Sequence, residues 1–251
     1  MREILAAASG QLQLNQACGG GHLQVVSVLP DMVRTWTRAD AVPVVAMQPA
    51  MGSDDLSVDL ATWVLDQLGE DQRQAVEKRA GQPGRRLRLQ DLVDPDSTLE
   101  LKVYESFEYW AELDPKDEDL VAAAKESQGK LDPIEQVLGL DMAFWTVLNG
   151  RAFLRWSLGI EEEELLDALA RLQAKRQAGV VSQAKYVGAF RALGTVIPVW
   201  ELPGGTTADD LAQHLPAYQS RLEAALKAKQ ELDYDERRAR AGLVARSLTL
   251  R

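Results

Sequence analysis

The stretch 143–156 carries the strongest structural signal in the sequence, a β-hairpin around Asn149-Gly150. The runs on either side of this dipeptide are rich in β-branched and aromatic residues. Both of its residues tolerate the positive φ that a type I′ turn requires. Trp145 is predicted to lie on one face of the strand pair and Phe144 on the other. Because both faces are apolar, we expect the hairpin to lie inside a sheet that is covered on both sides.

Composition and charge are typical of a globular protein. Hydrophobic residues make up 46% of the 251 residues and charged residues 26%. The formal net charge of −10 does not favour nucleic acid as a partner, because phosphate binding needs a concentrated positive surface. The single cysteine, Cys18, cannot form an internal disulfide, and the apolar run after Glu3 is too short for a signal peptide. With no apolar run near the roughly 20 residues of a membrane-spanning helix, we expect a cytoplasmic protein without a membrane partner.

Two short motifs recur at the same offset of 155 residues. Val42-Pro43-Val44 aligns with Ile197-Pro198-Val199, and Asp54-Asp55-Leu56 aligns with Asp209-Asp210-Leu211. Each copy combines an apolar strand, a loop and a capped helix, and a hairpin precedes each one. We therefore predict an α+β protein with two similar halves, each with antiparallel or mixed β-strands (a hairpin plus a strand) packed against helices. The alternative is that such motifs are common local solutions and no repeat exists.

Local composition divides the chain further. Residues 70–90 are polar and broken by glycine and proline, which is typical of a flexible connection. Residues 91–119 hold eleven acidic and two basic residues, and residues 237–251 hold five arginines and no acid. The predicted segments are an N-terminal α+β half over 1–69, a linker and acidic connecting region over 70–138, a C-terminal α+β half over 139–230, and a basic C-terminal tail over 231–251.

The residues that bind metals or act as nucleophiles are scattered along the chain. Cys18 lies four residues from His22, but a zinc site would need two further ligands nearby, and His214 is isolated. Nothing in the sequence marks Cys18 as an activated thiolate. Acidic residues cluster at predicted helix starts, where the helix dipole explains them. We therefore predict no metal, no cofactor and no catalytic residue.

One loop is a candidate for ligand binding. The run Gly204, Gly205, Thr206 and Thr207 joins a predicted strand to a helix N-terminus, where backbone N–H groups can hold an anion. It lacks the lysine of a phosphate-binding loop, and Asp210 would repel a phosphate there. The alternative is an ordinary turn followed by a helix cap.

Aromatic and basic residues are candidates for partner binding. Trp110, with Tyr109 beside it in the acidic region, is the tryptophan we most expect at a surface contact. The arginines of the tail are the second candidate set, namely Arg237, Arg238, Arg240, Arg246 and Arg251.

The tail itself allows two interpretations. It can pack back on the folded body through Leu243, Val244, Leu248 and Leu250, with its arginines oriented toward the acidic region. Alternatively, it is a free arm that binds a partner. We expect the docked arrangement.

Several stretches together resemble a known family. They are Tyr186–Ala192, Ile197–Pro203, Glu236–Leu243 and Thr249–Arg251, with Arg2–Ala8 and Ser53–Leu60 in the N-terminal half. These stretches are similar to an actinobacterial family catalogued as domain of unknown function 5926. The resemblance implies a cytosolic protein and brings no activity and no catalytic residues. Members of that family usually begin with a Lys/Arg-rich extension that this sequence lacks, so no role of the extension is carried over.

From these observations we expect a non-catalytic binding or adaptor protein with a protein partner. One alternative is a small-ligand-binding protein or enzyme with a site between the halves, near the Gly204–Asp210 loop. Another is association with nucleic acid or ribosomes through the arginine-rich tail. The sequence leaves the oligomeric state open.

Overall fold

The computed structural model describes residues 4–48, 55–79, 85–127, 131–192 and 195–245. The chain divides into two compact units, residues 1–131 and residues 132–251. Each unit contains helices and a five-stranded sheet, one sheet mixed and the other antiparallel. The predicted α+β fold class is therefore confirmed.

The sheet of the first unit is mixed. Its strands are β1 (Ala8–Gln13), β2 (His22–Val26), β3 (Thr35–Thr37), β4 (Pro43–Ala46) and β5 (Glu100–Val103). They lie in the order β3-β4-β2-β1-β5, and β4 runs parallel to β2 while the other neighbours are antiparallel. The helices are α1 (Leu56–Gln67), α2 (Glu70–Arg79), α3 (Leu89–Leu92), α4 (Tyr109–Leu113) and α5 (Glu118–Glu126).

Helices cover both faces of this sheet. Val25 and Val45 pack into one apolar cluster with residues of α1, α2 and α3. Their neighbours Val26 and Val44 point the other way and pack into a second cluster with residues of α4 and α5. Because both of its faces are buried, β4 is apolar without a break, as strands covered on both sides are.

In the structure, most of the predicted linker and acidic connecting region over 70–138 is part of the first unit. Residues 70–79 form α2, and β5 of the acidic stretch pairs with β1, with Ser9 opposite Lys102. The stretch as far as Leu131 therefore belongs to the first unit. In β5 the apolar residues Leu101 and Val103 alternate with polar ones, as in a strand with one wet face, but a strand's own sequence does not specify its partner in a sheet.

The second unit has an antiparallel sheet. Its strands are β6 (Ile134–Gln136), β7 (Ala143–Leu148), β8 (Arg151–Trp156), β9 (Lys185–Ala192) and β10 (Thr195–Glu201), in the order β6-β7-β8-β10-β9. The helices are α6 (Glu162–Ala174), α7 (Ala208–Lys227) and α8 (Tyr234–Val244). One apolar cluster joins the sheet to all three helices, through residues such as Leu154, Trp200, Leu169, Leu215 and Leu243.

The central hairpin is confirmed. Strands β7 and β8 lie in the interior of the sheet, and Asn149 and Gly150 have φ of 50° and 74°, as a type I′ turn requires. Buried side chains lie on both faces of the pair, with Phe144 on one face and Trp156 on the other.

Replacing Gly150 by valine is expected to lower the free energy of unfolding by about 1 kcal/mol or more, because a β-branched residue resists positive φ. A Cβ at Gly150 would meet no atom within 4 Å, so the cost comes from the backbone alone. Gly204→Val is the matched control, since Gly204 also has open space and its φ is not left-handed. Chemical denaturation measures both variants, and equal stabilities would contradict the turn assignment.

The predicted internal repeat does not extend to the sheet topology. The two aligned strands are β4 and β10, and both lie beside the second strand of a hairpin. However, β4 runs parallel to β2, whereas β10 runs antiparallel to β8. The aligned acids also differ in position, because Asp55 is the N-cap of α1 whereas Asp210 lies in the first turn of α7 behind the N-cap Thr207. Asp54 lies outside the described residues. These differences favour the alternative that the sequence allowed, in which the motifs are local solutions.

Candidate functional site

The loop over residues 204–207, which was predicted to bind a ligand, ends at the N-cap of α7. Thr207 precedes α7, and its Oγ1 accepts a hydrogen bond from the backbone N of Asp210 at 3.2 Å. The Asp210 carboxylate accepts bonds from the backbone N and the Oγ1 of Thr207, both at 2.8 Å. These hydrogen bonds hold the pKa of Asp210 below its usual value. The protein's own carboxylate thus occupies the place that an anion would take at this helix N-terminus.

The remaining residues of that loop also make contacts within the second unit. The carbonyl of Thr206 accepts a hydrogen bond from Trp145 Nε1 at 2.8 Å, and Thr206 Oγ1 donates to the carbonyl of Pro203 at 2.8 Å. Gly205 has a φ of 84°, which suits glycine, and Gly204 beside it is exposed. These contacts give the loop a structural role, so the turn-and-cap alternative describes it better than a ligand site.

Tyr109 and Trp110 are core residues, which corrects the predicted surface contact. Their side chains are 1% and 7% exposed. Tyr109 Oη and Trp110 Nε1 both donate to the carbonyl of Val28, the latter at 2.9 Å. Burial raises the pKa of Tyr109 to about 12. The polar atoms of both rings therefore have hydrogen-bond partners inside the first unit. The two rings can be buried even though their sequence neighbours in α4 are acidic.

The basic tail forms α8 and packs on α6. Leu243 is 4% exposed and belongs to the apolar cluster of the second unit, so the predicted docking through this residue is confirmed. Arg240 Nε donates to Asp167 at 2.6 Å and its Nη2 pairs with Glu163, which raises the pKa of the guanidinium. The acids that Arg240 meets belong to α6 and not to residues 91–119.

The other predicted tail residues have different environments. Val244 is 48% exposed and is therefore not an anchor. Arg237 donates to the carbonyl of Leu232, and Arg238 is exposed. Arg246 and Arg251, together with the predicted anchors Leu248 and Leu250, lie outside the described residues.

An open cleft in the second unit was not predicted from the sequence. It has a volume of 660 Å³ and lies between the loop 176–184 and one side of α7. We call it the basic cleft. Its lining comprises Arg176, Gln177, Gly179, Val180, Val181, Ser182, Gln183, Ala184, His214, Ala217 and Arg221.

The charge of this lining is opposite to that of the chain. The described residues that line the cleft include two arginines and a histidine and no carboxylate. The chain as a whole carries a formal charge of −10. Within the described part of the second unit, the ion pairs with carboxylates involve other cations, namely Arg151, Arg191, Lys227 and Arg240. The cleft is therefore a local positive site on an acidic protein.

Arg221 lies at the wall of the cleft against an aromatic ring. Its guanidinium carbon is 5.4 Å from the centre of the Tyr218 ring, a favourable cation–π distance. Its Nε is buried and has no hydrogen-bond partner among the described residues. Among the described residues, the Arg221 side chain is thus held in place by packing and not by a carboxylate.

An aromatic layer lies next to the cleft. Trp200 and Tyr218 are fully buried and meet edge to face, with ring centres 5.7 Å apart. Trp200 Nε1 donates to the carbonyl of Ala178 at 2.8 Å, which ties the cleft loop to the core of the unit. The loop is also folded closely on itself, because a Cβ at Gly179 would lie 2.8 Å from the carbonyl oxygen of Ala184. The wall of the cleft is therefore fixed by the fold.

Sequence reasoning missed this site for a clear reason. Arg176 and Arg221 are 45 residues apart, and only the packing of the loop on α7 brings them to one cleft. Arg176 also lies just beyond the C-cap of α6, Lys175, where a basic residue is explained by the helix dipole. The sequence signal at this site is Arg176 itself, because it stands just after a helix at a position where glycine is usual.

Guanidinium groups suit one kind of chemistry. They donate hydrogen bonds in a planar fork that matches the oxygens of carboxylates and phosphates. They stay protonated under physiological conditions, so they attract and orient an anion but do not exchange protons with it. Among the described residues, no group of three or more His, Cys, Asp or Glu is placed to hold a metal ion, and none of the helices could cross a membrane.

Comparison with known proteins identifies the family. The family model described as a family of unknown function, DUF5926, matches residues 1–251, which is the whole chain. The chain belongs to the DUF5926 family. Neither a curated protein nor a solved structure matches it. The DUF5926 description names no activity.

Proposed function

We propose that this DUF5926 protein is a non-catalytic binding protein of the cytoplasm and that its basic cleft holds a small oxyanion ligand. The observation that carries the proposal is the charge of Arg221, which lines the cleft without a carboxylate partner among the described residues. A guanidinium group that has no carboxylate beside it attracts an anion from solution through its unbalanced positive charge. The ligand is thus expected at the basic cleft and not at the Gly204–Asp210 loop.

The size of the cleft supports a small molecule. Its 660 Å³ falls within the range of about 300–1,000 Å³ that is usual for small-ligand sites. Ser182, Gln177 and Gln183 add neutral hydrogen-bonding groups around the two guanidinium groups. A ligand that combines anionic groups with hydroxyls would use both kinds of contact.

The same residues favour binding over catalysis. Arg176 and Arg221 hold fixed charges, and general acid–base catalysis needs groups that take up and release protons near neutral pH. His214 is the lining residue with an imidazole ring, and it is exposed on α7. Its charged neighbour on α7 is Asp210, whose carboxylate is already hydrogen-bonded to the helix cap Thr207, so the two do not form a nucleophile and its base.

Replacing Arg221 by glutamine is expected to weaken oxyanion binding about tenfold or more, since a charge-assisted hydrogen bond contributes about 1.5–3 kcal/mol. The measurement is isothermal titration calorimetry with glycerol 3-phosphate, succinate and uncharged glycerol. Wild type is expected to bind a charged probe and not glycerol, and added salt is expected to weaken binding. A preference between the two charged probes distinguishes phosphate from carboxylate ligands.

Arg238→Gln is the matched control, because it removes the same charge from an exposed site on α8 that does not line the cleft. The control is expected to bind the probe as wild type does. The proposal is wrong if wild type binds no charged probe, or if both variants lose affinity equally.

A further inference from the structure

The end of α6 has a backbone conformation that favours glycine. The N–H of Gln177 donates to the carbonyl of Leu172 at 2.7 Å, and that of Arg176 donates to Gln173 at 3.0 Å. This bond pattern is the Schellman motif, whose left-handed residue is usually glycine. Here that residue is Arg176, with a φ of 56°. A side chain in this conformation is unfavourable because its Cβ crowds the following carbonyl.

A second turn of the same loop also places a side chain in the left-handed backbone conformation. The N–H of Ala184 donates to the carbonyl of Val181 at 3.1 Å, which closes a four-residue turn. Its third residue, Gln183, has a φ of 63°, whereas the second, Ser182, has no positive φ. This combination defines a type II turn, in which the third position favours glycine or asparagine.

Other left-handed positions of the second unit mostly follow the usual preference. Gly139, Gly159 and Gly205 occupy three of them, and Asn149 occupies a fourth. Met142, with a φ of 54°, is an exception that does not line the basic cleft. Arg176 and Gln183 are exceptions that both line it. Polar side chains at strained positions are typical of functional sites, where the contact they make outweighs the backbone cost.

We infer that Arg176 and Gln183 contact the ligand, and that the ligand carries two negative charges. This inference rests on the proposed function and specifies it. Arg176 and Arg221 together present two fixed positive charges, and each guanidinium can pair with one oxyanion or with two oxygens of one phosphate. The Gln183 carboxamide can donate a hydrogen bond to the same ligand. Phosphate monoesters and dicarboxylates are the two ligand classes with this charge.

The test is Arg176→Gly, which relieves the backbone and removes the charge at once. The melting temperature is expected to rise by about 2 °C, because glycine adopts the left-handed conformation without crowding. Affinity for the charged probe that wild type binds, glycerol 3-phosphate or succinate, is expected to fall about tenfold. A variant that is more stable and binds more weakly is the outcome that supports a ligand-contacting role.

Met142→Gly is the matched control, since it gives the same backbone relief outside the cleft. It is expected to keep the affinity of wild type. The inference is overturned if wild type binds the probe and Arg221→Gln weakens binding, but Arg176→Gly binds as wild type does. It is also overturned if Arg176→Gly lowers the melting temperature. Absence of binding by wild type overturns the proposed function and this inference with it.

Discussion

Replacing Trp200 by alanine is expected to lower the free energy of unfolding by about 3–5 kcal/mol, the usual cost of removing a large aromatic ring from a core. Trp200 is fully buried, and it meets Tyr186 and Tyr218 edge to face at 5.8 and 5.7 Å between ring centres. Its Nε1 also holds the carbonyl of Ala178 at 2.8 Å. Chemical denaturation followed by circular dichroism measures the loss.

Trp200→Phe separates the contribution of the ring from that of its hydrogen bond. Phenylalanine keeps an aromatic ring in the core but leaves the buried carbonyl of Ala178 without its donor, which costs about 1–3 kcal/mol. We expect this variant to fold and to be less stable than wild type. If its unfolding midpoint equals that of wild type, the bond to Ala178 does not hold the cleft loop in place.

Replacing Trp110 by alanine is expected to cost about 3–5 kcal/mol as well, in the first unit. Its ring is 7% exposed and stacks on Phe107 with 5.0 Å between ring centres. Removing it would also leave the carbonyl of Val28 with one donor fewer. Thermal and chemical denaturation of the purified variant measure the change.

The control for Trp110 is Tyr234→Ala, because Tyr234 is 73% exposed on α8. Surface substitutions usually change stability by less than about 0.5 kcal/mol, so this variant is expected to melt as wild type does. If Trp110→Ala were as mild as Tyr234→Ala, Trp110 would be a surface residue, as the sequence first indicated, and its burial would be contradicted.

The features that the sequence predicts correctly depend on neighbours along the chain. The Asn149-Gly150 turn, the cap at Thr207 and the acidic start of α6 each follow from the residues beside them. The pairing of β7 with β8 follows from the two apolar runs that flank that turn. The interactions that determine these elements involve residues only a few positions apart, so the local sequence is sufficient to predict them.

The features that the sequence does not predict depend on distant residues. Nothing in the β5 sequence distinguishes β1 as its partner, and nothing in β4 or β10 fixes strand direction. Trp110 has acidic neighbours in sequence, yet its ring packs in the core of the first unit and the carbonyl of Val28 accepts its N–H. The basic cleft is the strongest case, since a turn at Arg176 and a helix face at Arg221 meet only after folding.

The central claim is that the basic cleft binds an oxyanion. The most direct test is to map amide chemical shifts by nuclear magnetic resonance while titrating the chain with glycerol 3-phosphate and, separately, with succinate. At least one of these probes is expected to shift the amide signals of residues 176–184 and of the two turns of α7 from His214 to Arg221, and Arg221→Gln is expected to remove the shifts. Shifts confined to residues 204–210, or no shifts with either probe, would contradict it.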